Sequence, residues 1–360
     1  MPAPRNRKPK NKSIKPKFTG NAAITIYGQS IKFGATATIH LPVASLFSHT
    51  PIHLPVRVIA GKKPGPTLFI SGAVHGDEII GVEIVRRLAR SPRIKNLKKG
   101  NLILLPILNM FGFILNSRYL QDRRDLNRSF PGSAGGSLAS RIANLFMTEV
   151  VAKSTHGIDI HAGSFYRENL PQIRANTDDA EILAMASAFA APAIINSDIR
   201  DGSLREAATA KGIKMMVFEA GEALRFDESS ANCGVNGVLG VMEHLGMISR
   251  DRFRENCQSG QYRHTTWVRA PRAGILSDRA PLGAEVRAGD ILAYISDPFG
   301  DDPIPILASE SGLLIGRSNL PTANEGDGLF HIATSTKITK RRKGDMLSDM
   351  PLHNTVHPDH

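Results

Sequence analysis

The sequence predicts an α/β protein, a mostly parallel or mixed sheet flanked by helices, followed by a small all-β sandwich. Three observations predict it. Between residues 67 and 245, runs of strong β-formers alternate with stretches whose apolar residues recur at helical spacing. From about Tyr262 the texture changes to short strands and glycine turns with no helical pattern. The chain is 360 residues long and 41% hydrophobic, enough to bury the cores of roughly two domains of about 150 residues each.

Each element has its own signal. The first polar segment carries alternating runs at 23–27, 36–40 and 55–60, and a period of two suits half-buried strands. Residues 67–74, TLFISGAV, are apolar almost throughout, as a strand covered on both faces would be. They lead into His75-Gly-Asp-Glu78 and then a helix on which Ile79, Ile80, Ile84, Val85 and Leu88 share a face. A further apolar strand at 102–108 ends at Asn109. Leu138, Ile142, Leu145, Phe146 and Val150 mark one side of a helix over 138–152. Then follow a strand at 157–161, a helix near 178–190, a strand at 193–196, a helix at 203–211, a strand at 214–219 and a helix at 235–245. Strands alternating with helices indicate a sheet covered on both sides, whose ligands gather at the C-terminal strand ends.

The later segment echoes itself. Ala270-Pro-Arg-Ala-Gly274-Ile-Leu276 recurs as Ala308-Ser-Glu-Ser-Gly312-Leu-Leu314, and Gly289-Asp290-Ile-Leu292 as Gly326-Asp327-Gly-Leu329. Two such β units predict a pseudo-symmetric sandwich or barrel. The expected division is a basic disordered tail at 1–18, an α/β domain at 19–255, a β domain at 256–334 and a second disordered tail at 335–360.

The formal charge of +12 is unevenly placed. Residues 1–18 carry seven basic residues and no acid; residues 335–360 carry five basic and three acidic residues. The two ends therefore account for nine of the twelve excess charges. That pattern describes solvated tails, and no specific nucleic-acid partner is expected. Cys233 and Cys257 are too few for a disulfide framework, which points to a reducing compartment. No run approaches the roughly 18 apolar residues of a membrane span, and no apolar segment follows the basic N-terminus. A cytoplasmic protein without a membrane partner is expected.

Several polar residues stand where strands should end. His75 and Glu78 follow one strand, and His161 closes another as Asp159-Ile-His161. Two imidazoles and a carboxylate can bind zinc while leaving a fourth position for water, the catalytic arrangement rather than the structural one. Taken singly, each of these residues reads as an ordinary loop or core side chain. Glu219 ends the apolar strand at 214–219, a carboxylate placed to move protons beside such a metal. Between them lies Arg118-Tyr-Leu-Gln-Asp-Arg-Arg-Asp125-Leu-Asn127-Arg128-Ser-Phe-Pro131-Gly132, a dense set of donors suited either to a charged turn or to gripping a substrate carboxylate.

The ordered set His75-Gly-Asp-Glu78, Asp125-Leu-Asn127-Arg128, Asp159-Ile-His161 and Phe218-Glu219-Ala-Gly221 resembles the succinylglutamate desuccinylase/aspartoacylase family, a branch of the zinc carboxypeptidase-like fold, over roughly residues 68–245. The later segment resembles the biotinyl/lipoyl-like sandwich that many bacterial members append. The resemblance implies one zinc ion per chain held by His75, Glu78 and His161, with Glu219 as general acid/base. It implies Asn127 and Arg128 as the pair that holds a substrate carboxylate, and Arg118 as the arginine that polarises the scissile carbonyl. Asp159 either orients a ligand imidazole or serves as a buried structural acid. For the arginine and tyrosine that other members bring from later segments, Arg205 or Arg225 and Tyr262 are the candidates. Residues 273–277 hold no lysine at a hairpin tip, so no covalent prosthetic group is expected, and the β domain reads as a lid, scaffold or oligomer contact offering a surface for homo-oligomers.

The implied activity is hydrolysis of an N-acyl amino acid or related small amide, a small-molecule substrate. The same residues would serve a carboxypeptidase acting on short peptides, separated from a small acylase by an open groove in place of a closed site. A degenerate binding or assembly module is the third reading, and metal content with amidase activity discriminates it from both.

Overall fold

The computed structural model of the chain describes residues 22–95, 97–251 and 259–335. The expected tails, apart from Ser335, and the expected boundary at 255/256 lie outside the described residues, as does Cys257. The alternating first segment forms a hairpin of β1 (Ala22–Ile26) and β2 (Gln29–Lys32) and then two long antiparallel strands, β3 (Thr36–Ser45) and β4 (Pro51–Ala60). Tyr27 and Gly28, both at positive φ, make the tight turn of the hairpin.

The apolar runs become the middle of a mixed sheet. β5 (Thr67–Gly72) and β6 (Asn101–Leu105) are buried at every position, as is β7 (His156–Gly163). Between β5 and β6 lie α1 (Ile80–Arg90) and the single turn α2 (Pro92–Lys95). After β6 come α3 (Met110–Ile114) and α4 (Leu138–Glu149). Then β8 (Arg167–Ala175), α5 (Ala180–Phe189), β9 (Ala193–Asn196), α6 (Leu204–Ala210), β10 (Lys214–Glu222) and α7 (Glu228–His244) follow in turn. The order across the sheet is β3-β4-β6-β5-β7-β10-β8. β6, β5, β7 and β10 run parallel, and β4, β3 and β8 are antiparallel to their neighbours. Strand β8 has no counterpart among the sequence expectations. Both β7 and β10 continue past His161 and Glu219, so these residues lie inside their strands rather than at the ends.

Two apolar layers cover the sheet. Ile84, Leu88, Phe189, Phe218 and Val238 belong to one cluster, under α1, α5 and α7. Phe69, Ile142, Phe146 and Leu204 belong to the other, under α4 and α6, with Phe69 edge-on to Phe146 at 5.6 Å. Each such side chain contributes about 1.5–3 kcal/mol by leaving water, which holds the strand ends rigidly enough to carry a site. From β5 the chain moves to β6 on one side and later to β7 and β10 on the other. The crevice at the C-terminal ends of β5 and β7 is therefore the topological switch point, where ligands of open α/β sheets bind.

The later segment is all β, and its internal echo is structural. β12 (His264–Arg269), β13 (Gly274–Ser277), β14 (Glu285–Val286) and β15 (Ile291–Ser296) are followed by β16 (Ile304–Leu307), β17 (Gly312–Ser318), β18 (Thr322–Ala323) and β19 (Gly328–Thr334). The pairings β12·β19, β17·β19 and β14·β17 repeat as β16·β15, β13·β15 and β13·β18. Corresponding backbone bonds, such as Ala270 N to Asp327 O and Ala308 N to Asp290 O, obey the same exchange. Leu276, Leu292, Ile295, Leu314, Phe330 and Ile332 fill the space between the two sheets.

One of these two sheets is not separate from the first domain. β17 pairs with the first half of β8, and β9 with its second half; β11 (Gly260–Tyr262) in turn pairs with β9. The large sheet thus runs on through β17, β19 and β12 to a total of 13 strands among the described residues. No helix among the described residues is long and apolar enough to cross a membrane.

Candidate active site

The turn after β5 is fixed by close backbone approach. A Cβ on Gly76 would lie 2.0 Å from the carbonyl carbon of Gly112 in α3, so only glycine lets the His75–Glu78 turn settle there. His161 reaches the same crevice from β7. Nδ1 of His75 lies 2.7 Å from Glu78 Oε1, and Nδ1 of His161 lies 2.7 Å from Glu78 Oε2. The ligand atoms of the three buried residues fall within 4.8 Å of one another, close enough to hold a metal ion.

Each imidazole is held from behind by a second carboxylate. His161 Nε2 sits 2.7 Å from Asp159 Oδ2, whose other oxygen accepts from Ser71 Oγ at 2.7 Å. His75 Nε2 sits 3.2 Å from Asp125 Oδ1. Such contacts fix ring orientation and raise ligand basicity. Burial works against charge on both imidazoles, yet the flanking carboxylates outweigh it and raise both above the usual 6.5. Glu78, despite complete burial, is held well below the ordinary carboxylate range by the two rings.

The loop between α3 and α4 completes this wall. Asn109 caps α3 by accepting from Gly112 N at 2.8 Å, and its amide donates to Arg118 O at 3.3 Å. Arg118 donates to Glu78 Oε1 at 3.3 Å and to Asp125 Oδ2 at 3.0 Å. Asp125 accepts from Asn127 N at 2.8 Å at the start of a single 3₁₀ turn. Asn127 Oδ1 accepts from Leu204 N at 2.9 Å, which leaves its NH₂ group as the donor toward the crevice. Arg128 donates to the Asn127 carbonyl at 2.6 Å.

Glu219 on β10 is the register partner of His161 on the parallel β7, so the two side chains share one face. Asn169 donates to Glu219 Oε2 at 2.9 Å, and Arg174 Nε lies 3.8 Å from Oε1. A cavity of about 850 Å³ joins the His75, Glu78 and His161 group to Arg118, Asn127, Arg128 and Glu219. Its far wall comes from the β12 and β19 strands, including Trp267 and His331.

The sequence pattern of the succinylglutamate desuccinylase/aspartoacylase catalytic domain matches residues 64–245. The chain belongs to this family. It is 27% identical, over 295 residues, to N-alpha-acetyl-L-2,4-diaminobutyric acid deacetylase of Halomonas elongata, covering 78% of this chain and 86% of that one. Among solved structures it resembles the product-bound ectoine utilization protein EutE (DoeB) of Ruegeria pomeroyi, with a TM-score of 0.73 and 25% identity over 83% of this chain and 95% of the other. A succinylglutamate desuccinylase/aspartoacylase from Rhodobacter sphaeroides shares the fold, with a TM-score of 0.71 and 24% identity over 84% and 97%.

In this family member, His75, Glu78, Arg118, Asn127, Arg128, Asp159, His161 and Glu219 all line the one cavity. Of the two later arginines, Arg205 lines it, whereas Arg225 points to solvent and pairs with Glu222. Tyr262 does not line it; it packs beside Leu313 and Ile315. Sequence reasoning missed Asn169 and Arg174, which stand on the unexpected strand β8, and Trp267 and His331, which long-range pairing brings in. It also gave Asp125 no role. A signal was there: an acid two residues before the Asn-Arg pair is an obvious cap for the turn that presents them.

Proposed function

We propose that the protein hydrolyses the amide bond of an N-acyl amino acid, with His75, Glu78 and His161 holding one zinc ion. The observation that carries this reading is the convergence of two Nδ1 atoms and a carboxylate at one point, each imidazole backed by its own acid, with Glu219 one strand away. Two nitrogens and an oxygen suit zinc with a position left open. Zinc bound there would polarise the acyl carbonyl and make a water acidic near neutral pH.

The rest of the chemistry belongs to the chain's own side chains. Glu219 accepts the proton of the attacking water and delivers it to the departing nitrogen, while Asn169 keeps its carboxylate in place. Arg118 supplies N–H donors to the oxygen on which negative charge develops. The Asn127 amide and the Arg128 guanidinium grip the substrate carboxylate, an orientation that turns an encounter into a productive one. Asp125 joins the two halves, since it touches His75, Arg118 and the backbone of Asn127.

The deciding experiment screens the zinc-loaded protein against N-acyl amino acids, with Glu219→Ala as the blank. The variant should retain zinc and lose at least about a hundredfold in rate, the usual scale for a lost acid/base. Unchanged turnover would remove Glu219 from the mechanism. A cavity of about 850 Å³ exceeds what one acyl amino acid fills, which favours short peptides as the second reading. Peptides cleaved faster than every N-acyl amino acid would establish it.

A further inference from the structure

Strand β12 has an edge that no strand among the described residues pairs with. β9 and β11 run side by side as far as Ile195 and Tyr262. The chain then passes through Arg263 into β12, which turns away to pair with β19, while β9 ends at Asn196. Beyond the β19 ladder, no other backbone bond among the described residues involves residues 264–269. Alternate N–H and C=O groups of β12 therefore point away from β19 without a backbone partner.

That edge opens into the cavity. Side chains of a strand alternate between the two faces of its sheet. Val268 packs in the core of the β domain, so His264 and Thr266 share its face, whereas Thr265 and Trp267 take the other. Yet all five consecutive residues from Arg263 to Trp267 line the cavity, which requires the cavity to meet the strand along its edge. Residues 195–198 form the facing side, and their backbone is already engaged. Ser197 N donates to Ala175 O at 3.1 Å, and the carbonyls of Ser197 and Asp198 accept from Arg205. The parting of the two strands thus leaves a slot with the unpaired backbone of β12 along one side. Charge around it is mixed, Asp198 and Glu310 standing with Arg200 and Arg263, so the slot is suited to a peptide backbone rather than to a charge of one sign.

The slot lies in line with the proposed chemistry. Trp267 is the register partner of His331, His331 of Gly316, and Gly316 of Asn169, which donates to Glu219. Gly316 puts no side chain in the path between Asn169 and His331. From β12 to β10 there are four strand-to-strand steps of about 4.8 Å, which sets Glu219 about 19 Å away along the sheet. An extended chain advancing about 3.4 Å per residue covers that distance with about six residues.

We infer that the free edge of β12 binds the acyl portion of the substrate as an added strand, and that this portion is an extended peptide chain. The substrate class is then a short peptide whose C-terminal residue is the amino acid released in the proposed reaction. Asn127 and Arg128 hold its carboxylate, one water is consumed at the last peptide bond, and the free amino acid leaves beside the shortened peptide acid. This rests on the hydrolase reading and supplies its acyl group.

Binding and hydrolysis test the slot and the hydrolase reading separately. Titrations use the zinc-loaded Glu219→Ala chain, in which binding is read without turnover. The probe is an acetylated hexapeptide of alternating serine and alanine, ending in alanine with a free carboxylate. Calorimetry should show it binding at least about tenfold more tightly than N-acetylalanine, as two or more added backbone hydrogen bonds provide. Trp267, the chain's single tryptophan, lines the cavity and stacks on His331 at 4.5 Å, so its emission should change in step with binding. N-methylation of alternate peptide nitrogens reads the mode of binding. One set of alternate positions should weaken binding at least about tenfold and the other less than about twofold, the period of two that an added strand imposes. Equal affinity for the hexapeptide and N-acetylalanine, an unchanged Trp267 emission, or equal effects of the two methylated sets overturns the slot. With the parent chain, peptide binding without release of alanine supports the slot and sinks the hydrolase reading. Release of acetate from N-acetylalanine, with no preference for the peptide, supports the hydrolase reading and overturns the slot.

Discussion

Asp159→Asn isolates what the acid behind His161 does for the proposed metal binding. The substitution conserves volume at a residue only 1% exposed, and an amide oxygen can still accept from His161 Nε2, 2.7 Å away in the native protein. The contact to Ser71 Oγ can survive with donor and acceptor exchanged. What is lost is the negative charge that makes this bond charge-assisted and keeps the ring basic. Loss of such a partner typically costs 10- to 100-fold in metal affinity, or about 1.4–2.8 kcal/mol. The zinc dissociation constant, measured by competition with a chelator of known affinity, should rise by that factor. A thermal melt of the metal-free variant, run beside it, separates weakened binding from unfolding. Affinity within twofold of the parent, with an unchanged melt, would refute the claim that Asp159 acts through His161.

Other perturbations follow from the same geometry. Asn169→Ala removes the 2.9 Å bond to Glu219 and should lower kcat about tenfold, with zinc content and KM near the parent's values; an unchanged kcat would show that Glu219 needs no such anchor. Gly76→Ala drives a methyl to within 2.0 Å of Gly112 backbone, an overlap no rotamer relieves, and should destabilise the protein by about 2–4 kcal/mol in denaturant titrations. His331, pushed down to about 3, stays neutral in the folded state while the unfolded chain protonates near 6.5. Its contribution is therefore present above pH 6.5 and is lost as pH falls from there toward 3, at up to about 1.4 kcal/mol per pH unit. His331→Asn should flatten that part of the stability profile, and an unaltered slope would contradict the burial argument.

The grouping of His75, Glu78 and His161 was legible because parallel strands expose their C-terminal ends at one crevice, so polar residues interrupting apolar runs at 75, 78 and 161 stood out. The helices α1 and α4 were legible for a similar reason, each having one strongly apolar face over a buried sheet. β8 was not. Its sequence, RENLPQIRA, mixes charge with Pro171, and the register against β10 slips between Gln172 and Asn169, so no regular alternation survives. That slip also brings Asn169 and Arg174, which a strict period of two would set on opposite faces, to the same cavity. The far wall was hidden for another reason: β17 meets β8 across about 150 residues of chain, a pairing that no local pattern encodes. The internal echo at 270 and 308 did expose the symmetry of the β unit, because each copy repeats its own turns.

The joint between β8 and β17 bears on how this architecture can be cut or exchanged. A chain ended at residue 251 would keep every side chain that touches the proposed metal, yet would leave the first half of β8 with a row of bare amide groups facing water. Any replacement module grafted there must bring a strand of its own to seal that margin, and the strands it sets beyond that one, in the places of β19 and β12, would rewrite which molecules the crevice accepts. In this architecture, selectivity and solubility are inherited together, through one seam of backbone hydrogen bonds.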